Sequence, residues 1–308
     1  MIKNKKAQVF TLIAIALIGL LLISFEIFYV AQQRFSINTR ISTIENFLYS
    51  IEENLERQLY ISAFRIIFLA ESEITNKGQY IGDVDSFFNE AFFNGSVNGE
   101  QKDILVGATH SDLILSLNEK SEKVSVVVSL SNISIIIRQT DPWHVNFTLS
   151  FYLIMEDKSD LARWEKSQKI SALVPVSGFE DPLYIINTNA KISRKINSTI
   201  YDGNYVQGTN VSNLFNHLNR GYYTANPSAP SFLKRLEGNL SSDENGIESF
   251  VDLFELSSQG ILTKDKTSVD YLYFSSDNPA SYNILGMPSW FKIDSEHLEF
   301  YNASALAS

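Results

Sequence analysis

The side chains that most often carry chemistry are few in this sequence and widely spaced. The chain has no cysteine, which excludes thiolate zinc sites, iron–sulfur clusters, disulfides and cysteine nucleophiles. Its four histidines lie far apart, and none belongs to a His-Glu-x-x-His frame or a similar metal-ligand frame. They are His110, His144, His217 and His297. We expect each of them to be structural or exposed to solvent.

One short acidic segment contains potential cation ligands. Asp294, Glu296 and His297 lie close together in sequence, but the pattern favours a solvated acidic turn, so we predict no metal site and no cofactor. The sequence also lacks a Gly-x-Ser-x-Gly elbow, a phosphate loop and a dinucleotide fingerprint. Carboxylate pairs for glycoside hydrolysis remain open, because the separation of two carboxylates depends on the fold. We predict no catalytic residue and favour a protein that is not an enzyme.

Asparagine sequons are the candidate modification sites. Seven Asn-x-Ser/Thr sequons lie at Asn94, Asn132, Asn146, Asn197, Asn210, Asn239 and Asn302. Asn146 alternates with apolar residues of a predicted strand, and Asn132 lies where such an alternation shifts by one residue, so we expect both to be exposed as glycosylation requires. Unmodified polar surface is the alternative for each sequon.

The most hydrophobic part of the chain is its N-terminal region. Residues 9–30 are almost entirely apolar, and 22 residues suffice for a helix to cross a bilayer core about 30 Å thick. Three lysines precede this segment, so the positive-inside bias predicts that residues 1–7 are cytoplasmic and residues 32–308 are outside the cell. A plain signal anchor is one alternative. A cleaved secretory signal is another, although bulky Tyr29 disfavours cleavage after Ala31.

The residues before the apolar segment indicate a specific type of N-terminal signal. The sequence Lys5-Lys6-Ala7-Gln8-Val9-Phe10 resembles the class III signal peptide of archaeal type IV pilin-like proteins. The resemblance implies that a prepilin peptidase cuts the Ala7–Gln8 bond on the cytoplasmic side and leaves the apolar helix on the mature protein. Many pilins have a Glu at the fifth mature position, which is thought to neutralise the terminal amine of a neighbouring subunit. Here that position is Leu12, which makes processing a firmer expectation than polymerisation.

Glu26 does not replace the missing pilin glutamate. It lies near the outer end of the span, where its carboxylate can reach headgroup water. We therefore interpret it as an interfacial residue, the alternative being a functional carboxylate inside the membrane.

A second helical pattern follows the span. Apolar residues recur every three or four positions from Ile37 to Ile74, which predicts a helix with one apolar face. If this helix continues the span, residues 9–76 form a rod of about 100 Å that stops near Gly78. We favour packing of the apolar face on the chain's own domain over coiled-coil assembly.

The middle of the chain changes to the two-residue period of β-strands. Alternation predicts strands over 124–137, 145–153 and 164–174, with a bulge or turn at Asn132. A helix is predicted over 84–93 and a short strand over 183–187. Consecutive antiparallel strands with short links favour a β-sandwich or a meander.

After about residue 200 the pattern is shorter and mixed. Residues 214–218 and 232–236 indicate helices, whereas residues 247–256 and 269–274 indicate extended chain. The segments 176–183 and 246–251 resemble stretches of membrane-anchored archaeal surface proteins of unknown activity, which supports location more than function.

The predicted fold is α+β, with a long transmembrane and stalk helix, a β-rich outer domain and a smaller mixed lobe. We divide the chain into a cytoplasmic leader (1–7), a transmembrane helix (8–31), an amphipathic stalk helix (32–77), a β-rich extracellular domain (78–200) and a mixed α+β extracellular lobe (201–308).

Charge limits the partners of the outer part. Without the three lysines before the span and Glu26, 22 basic and 34 acidic residues remain, a net charge of −12. Such a surface repels phosphate backbones, so we expect no nucleic-acid partner.

The expected partners are the membrane, prepilin peptidase, and other pilin-like subunits or cell-surface glycans. The predicted function is that of an archaeal cell-surface, pilin-like structural or adhesive protein, such as a filament subunit or minor pilin. The alternative is an anchored, non-polymerising glycan-binding module or glycan-processing enzyme.

Overall fold

A computed structural model describes residues 5–308 of the chain, with side chains described from residue 9. Residues 1–4 of the predicted leader lie outside the described residues. The predicted α+β class and long N-terminal helix are confirmed. The α-helices are α1 Lys5–Lys77, α2 Val84–Asn94, α3 His110–Lys123, α4 Pro182–Asn187, α5 Ser212–Arg220, α6 Phe232–Glu237, α7 Leu253–Ser258, α8 Asp270–Phe274 and α9 Ser295–Phe300. The strands are β1 Ser96–Val97, β2 Glu100–Gln101, β3 Val126–Asp141, β4 His144–Asp157, β5 Arg163–Pro175, β6 Thr224–Ala225, β7 Ile247–Glu248, β8 Ser281–Asn283 and β9 Lys292–Asp294.

Helix α1 is continuous through the predicted span and stalk. Its 73 residues make a rod of about 110 Å at ~1.5 Å per residue. The helix stops where the sequence predicts, because Gly78 takes the left-handed conformation (φ 63°) that favours glycine. The N–H of Gly78 donates to the carbonyl of Ile74 at 2.9 Å. This single element therefore runs from the N-terminal region into the centre of the folded part.

The C-terminal part of α1 is the core helix of the domain. Its buried face begins at Ile44 and contains residues at the predicted spacing of three and four. These residues are Ile44, Phe47, Ile51, Leu55, Leu59, Ala63, Ile66, Ile67, Leu69, Ala70 and Ile74. Helix α1 packs mainly against β5, with further contacts to α4, α2 and β4. From Ile44 onward, packing on the chain's own domain is therefore confirmed, whereas Ile37 is 39% exposed.

The main sheet has three antiparallel strands in the order β3-β4-β5. Residues of β4 alternate between buried and half-buried positions, and Phe147 on the buried face contacts Phe88 of α2 with ring centroids 5.3 Å apart. The predicted irregularity at Asn132 is a bulge, because the β3–β4 register shifts between Ser131 and Ser134. Asn132 itself has a φ of 51°.

Several predictions for the C-terminal region hold and others are wrong. The helices predicted at 214–218 and 232–236 are α5 and α6. The strand predicted over 183–187 is instead helix α4, and the extended segment predicted over 269–274 is helix α8.

The segment predicted to be extended over 247–256 contains two elements. It begins with the two-residue strand β7 and continues into α7. The reason is a side-chain cap, because the carboxylate of Asp252 accepts hydrogen bonds from the backbone N–H groups of Phe254 and Glu255. The same applies to α4, where Asp181 accepts from the N–H of Leu183 and Pro182 occupies the first helical turn. These caps favour helix at both positions, although Tyr184, Ile185 and Ile186 of α4 are residue types enriched in strands.

The C-terminal region forms hydrophobic clusters of its own and is also joined to α1 and the sheet. One cluster extends from Leu183 to Leu306 and includes Phe250 and Tyr301. Phe232 and Ile247 belong instead to the cluster built by α1 and the main sheet. The C-terminal residues therefore hold the loop after β5 against α1.

Candidate functional site

The N-terminal part of α1 is a bare apolar surface. Its side chains from Val9 to Val30 are mostly exposed, and none of its most apolar stretch is buried. It is the one helix of residues 5–308 that is long and apolar enough to cross a membrane, a property that a signal sequence shares. The burial pattern differs from that of a helix inside a soluble core, because such a helix would be covered by other elements.

The predicted processing site lies at the start of this helix. The backbone of Ala7 and Gln8 belongs to the first turn of α1, directly before the apolar surface. Leu12 and Glu26 are both exposed on the helix, and Glu26 lines a shallow surface depression with Val30 and Arg34.

A groove lies between the distal part of α1 and the loop after β5. It has a volume of about 460 Å³. Helix α1 contributes Phe64 and Phe68, which are 42% and 49% exposed, and the loop contributes Phe179, whose ring centroid lies 5.2 Å from that of Phe64. Lys195 lies at the same groove. The groove thus combines aromatic surface with a few polar groups, as ligand sites commonly do.

Two acids, Glu71 and Glu180, line this groove, and Glu71 is the buried one. It is 8% exposed, and its Oε1 accepts a hydrogen bond from the backbone N–H of Glu180 at 2.6 Å. Burial raises the pKa of the Glu71 carboxyl to about 8, although the hydrogen bond from Glu180 opposes the shift. At neutral pH this carboxyl is therefore mostly protonated and can donate a hydrogen bond into the groove.

A second concentration of ionisable groups is buried around Arg235 of α6. Its Nη1 donates to Asp181 at 2.6 Å and to Asp270 at 2.9 Å, and all three side chains are fully buried. The hydroxyl of Tyr223 donates to Asp181 at 2.8 Å, and that of Ser249 donates to Asp270 at 2.9 Å. Burial raises the pKa of Asp181 even beside the guanidinium.

A third group centres on His297 of α9. Its Nδ1 lies 2.8 Å from Asp294 and its Nε2 lies 3.0 Å from Glu248, so the imidazole bridges two carboxylates. Burial alone would lower the pKa of His297, but the charge of Glu248 and the hydrogen bonds of both carboxylates outweigh it and raise this pKa to about 10. Tyr301 donates to the other oxygen of Glu248 at 2.6 Å. His297 is therefore a cation at neutral pH, with both ring nitrogens donating.

These two buried groups suit a structural role. Every charged member is at most 3% exposed, so no substrate reaches it in this conformation. Each carboxylate also accepts from polar neighbours, as buried charges require. Their position at the junctions of α4, α6, α8 and α9 fixes how these short helices meet.

The prediction of a solvated acidic turn at residues 294–297 is therefore wrong for Asp294 and His297. Asp294 and His297 are each 2% exposed and pair with each other, whereas Glu296 alone is exposed. Among residues 5–308, no cluster of His, Asp and Glu has the arrangement of a metal site.

The other histidines are distributed between core and surface. His217 is fully buried, and burial lowers its pKa to about 3. It packs edge-to-face on Tyr205 and Phe250. His110 and His144 are partly exposed.

Six of the predicted glycosylation asparagines are exposed in the described chain. These are Asn94, Asn132, Asn197, Asn210, Asn239 and Asn302. Asn146 differs from the expectation, because it is half-buried and its Oδ1 is enclosed without a hydrogen-bond partner. Its side chain lies in a depression beside Arg57 and Tyr60 of α1, since the stalk helix covers this part of the sheet.

Sequence reasoning did not single out Glu71, Arg235 or Asp270, because their partners are distant in sequence. One indication was present. The two segments that resemble archaeal surface proteins contain Asp181, Glu248 and Ser249, which the structure places in the buried ionic groups. No family model, curated protein or solved structure matches this chain.

Proposed function

We propose that this chain is an archaeal cell-surface protein of pilin-like type, anchored by the N-terminal part of α1 and serving a structural or adhesive role. The observation that carries the proposal is the division of one continuous helix into a bare apolar part and a part that forms the core of the domain. In water, the 16 large apolar side chains exposed between Val9 and Val30 are strongly unfavourable, whereas a bilayer core accommodates them. The lysines before this part support a cytoplasmic N-terminus.

Processing by prepilin peptidase is part of the same proposal. Cleavage of the Ala7–Gln8 bond removes a basic leader and leaves the apolar surface of α1 complete. The resemblance of residues 5–10 to a class III signal peptide supports it. Leu12 at the fifth mature position argues for a minor pilin or an anchored relative rather than a major filament subunit.

The proposed outer part has two lobes, one over residues 78–200 and one over residues 201–308. For the first lobe we favour a meander over a sandwich, because β3, β4 and β5 follow one another in space as in sequence. The exposed sequons are proposed glycosylation sites outside the cell.

The test is N-terminal sequencing and intact mass of the membrane-extracted protein, from archaeal cells with and without prepilin peptidase. We expect a mature N-terminus at Gln8 that depends on the peptidase. The matched control is Ala7→Leu, which places a bulky residue before the scissile bond and should leave the leader attached. A start at Met1 or Ile2 in all cells would mean a plain signal anchor and would contradict membership of the pilin pathway.

A second candidate function is an anchored glycan-binding module that does not polymerise. The groove at Phe64, Phe68 and Glu71 favours it, because aromatic faces beside a hydrogen-bonding carboxyl suit a sugar ring. The test is a glycan array probed with the full chain in detergent. Binding that is lost in Phe68→Ala but kept in Leu262→Ala, which changes a distant exposed residue, would support this function. Equal signals from all three proteins would count against it.

A further inference from the structure

Contacts between α1 and the main sheet show which end of the sheet is nearest the span. Arg40 of α1 donates through Nε to Asp157 at 2.9 Å and through Nη2 to the carbonyl of Ser125 at 2.9 Å. Farther along α1, Glu52 pairs with Lys166 at 3.3 Å. Twelve helical residues separate Arg40 from Glu52, a rise of about 18 Å. The end of β4 at Asp157 is therefore nearer the span than the part of β5 at Lys166.

The turn between β4 and β5 continues in the same direction. It comprises residues 158–162 and starts directly after Asp157. The N–H of Lys158 donates to the carbonyl of Ser125 at 3.1 Å, which brings the junction of α3 and β3 to the same level. This turn and this junction form the base of the domain, the part that faces the N-terminal half of α1.

The base lies close to the expected surface of the bilayer. Arg40 is ten residues beyond Val30, the last residue of the apolar segment, so the two are about 15 Å apart along the helix. The headgroup layer accounts for roughly 5–7 Å beyond the hydrocarbon on each side. The turn after Asp157 projects into the remaining gap between the level of Arg40 and the headgroup layer. A tilt of α1 of about 20°, common for single spans, brings one side of the base lower still.

The chemistry of the base differs from that of the rest of the surface. Arg34, Lys123 and Lys158 are exposed, and none of them has a carboxylate partner among the described residues. Leu161 at the turn is apolar and 49% exposed. The same segments also contain the exposed acids Glu122 and Asp160, so these five side chains together carry a net charge of +1 on a chain whose net charge is −10. Cations beside an exposed apolar side chain match a layer of lipid phosphates above hydrocarbon.

We propose that this membrane-facing edge, defined as Arg34, Lys123, Lys158 and Leu161, rests on the lipid headgroups. The basic side chains contact lipid phosphates, and Leu161 enters the interfacial layer. The contact holds the outer part upright on its helix and fixes which face of the domain is turned away from the membrane. The inference rests on the membrane anchorage proposed above, and the test separates the two.

The absence of cysteine makes site-specific labelling direct, since a single introduced cysteine is the only thiol of the chain. We would label Leu161→Cys with a bimane fluorophore in the full-length protein, reconstituted in vesicles of phosphatidylcholine and phosphatidylglycerol. Lipids with nitroxides on the headgroup or on the acyl chain then report depth. Leu21→Cys in the span and Leu262→Cys, which is 92% exposed in the C-terminal region, are the controls.

We expect headgroup nitroxides to quench the label at position 161 at least about twofold more than the label at position 262. Acyl-chain nitroxides should quench the label at position 21. Loss of quenching at position 21 would overturn the membrane anchorage itself. Quenching at position 21 with equal, low quenching at 161 and 262 would overturn the membrane-facing edge alone.

A charge reversal tests the ionic part of the contact. Lys123→Glu with Lys158→Glu, combined with Leu161→Cys, should lower headgroup quenching by about half, since an anionic surface attracts basic side chains and repels acidic ones. Lys264→Glu in the same background changes an exposed lysine of the C-terminal region and should leave quenching unchanged. Circular dichroism confirms that each variant is folded. Undiminished quenching in the folded double reversal would overturn the role of the lysines.

Discussion

At the scale of single residues, the molecule places Arg235, His297 and Glu71 in two different settings. Arg235 and His297 are enclosed with their counter-ions, whereas Glu71 lines an open groove. A buried cation between carboxylates adds little net stability over an apolar core, but its removal leaves uncompensated charge. The two settings therefore predict different responses to substitution and to pH.

Replacement of His297 tests the enclosed setting. His297→Ala leaves Glu248 and Asp294 without their shared cation, so we expect the free energy of unfolding to fall by about 3–5 kcal/mol at pH 7. Urea unfolding of the full chain in detergent measures the change. His144→Ala is the control, since His144 pairs with Asp141 at the surface and should cost under about 1 kcal/mol. Similar losses in both variants would argue against a buried ionic group at His297.

Glu71 gives stability a defined dependence on pH. Its folded pKa of about 8 lies above its ordinary value of 4.5, so the protonated form favours folding. This contribution is complete below pH 4.5 and is lost as the pH rises through 8. Glu71→Gln keeps the acceptor for the Glu180 N–H but cannot ionise, so we expect its free energy of unfolding to exceed that of the wild type by on the order of 5 kcal/mol at pH 9. At pH 5 the free energies of unfolding of Glu71→Gln and the wild type should be similar.

Thermal melts in detergent across this pH range measure that difference. A pH-independent gap between Glu71→Gln and the wild type would show that ionisation of Glu71 is not responsible.

At the scale of elements, α1 has two environments in one helix. Its distal part buries one face in the domain and presents Phe64 and Phe68 on the other face. Short helices such as α4 and α7 depend instead on their capping aspartates, because isolated helices of six residues are unstable.

Truncation of neighbouring residues of α1 should therefore lower the free energy of unfolding by very different amounts. Ile67 is fully buried and Phe68 is 49% exposed. We expect Ile67→Ala to lower the free energy of unfolding by about 2–5 kcal/mol through a cavity, and Phe68→Ala by under about 1 kcal/mol. Urea unfolding of both variants in the same detergent makes the comparison. A larger loss for Phe68→Ala would reverse the assignment of the faces.

At the scale of the whole molecule, the apolar part of α1, the proposed membrane-facing edge and the exposed sequons fit one proposed orientation. The apolar part is at one end of α1, and the loop after β5 and the C-terminal helices are near the other end. Arg40 and Asp157 join helix and sheet where the domain begins.

This orientation predicts where glycans attach. We expect a glycan at exposed Asn132 and little or none at Asn146, whose amide oxygen is enclosed beside α1. Intact mass of the protein from an archaeal host should fall by one glycan in Asn132→Gln and stay unchanged, apart from the substitution, in Asn146→Gln. Loss of a glycan in Asn146→Gln would contradict the packing of this face against the stalk.

The sequence by itself determined the features that depend on local period. The apolar run, the stripe from Ile44 to Ile74, the stop at Gly78 and the bulge at Asn132 are all readable from neighbouring residues, since hydrophobic spacing and glycine conformation act over a few positions. The membrane function and the processing site remain predictions from that pattern.

Only the tertiary structure decided which distant residues meet. Asp181, Arg235 and Asp270 are separated by tens of residues, and His297 is 49 residues from Glu248, so no local pattern indicates their pairing. Helix α8, predicted as extended chain, is held where Asp270 pairs with Arg235. The enclosure of Asn146 and the position of residues 158–162 along α1 likewise follow from how α1 packs on the sheet, because burial is a property of the assembled chain and not of its sequence neighbours.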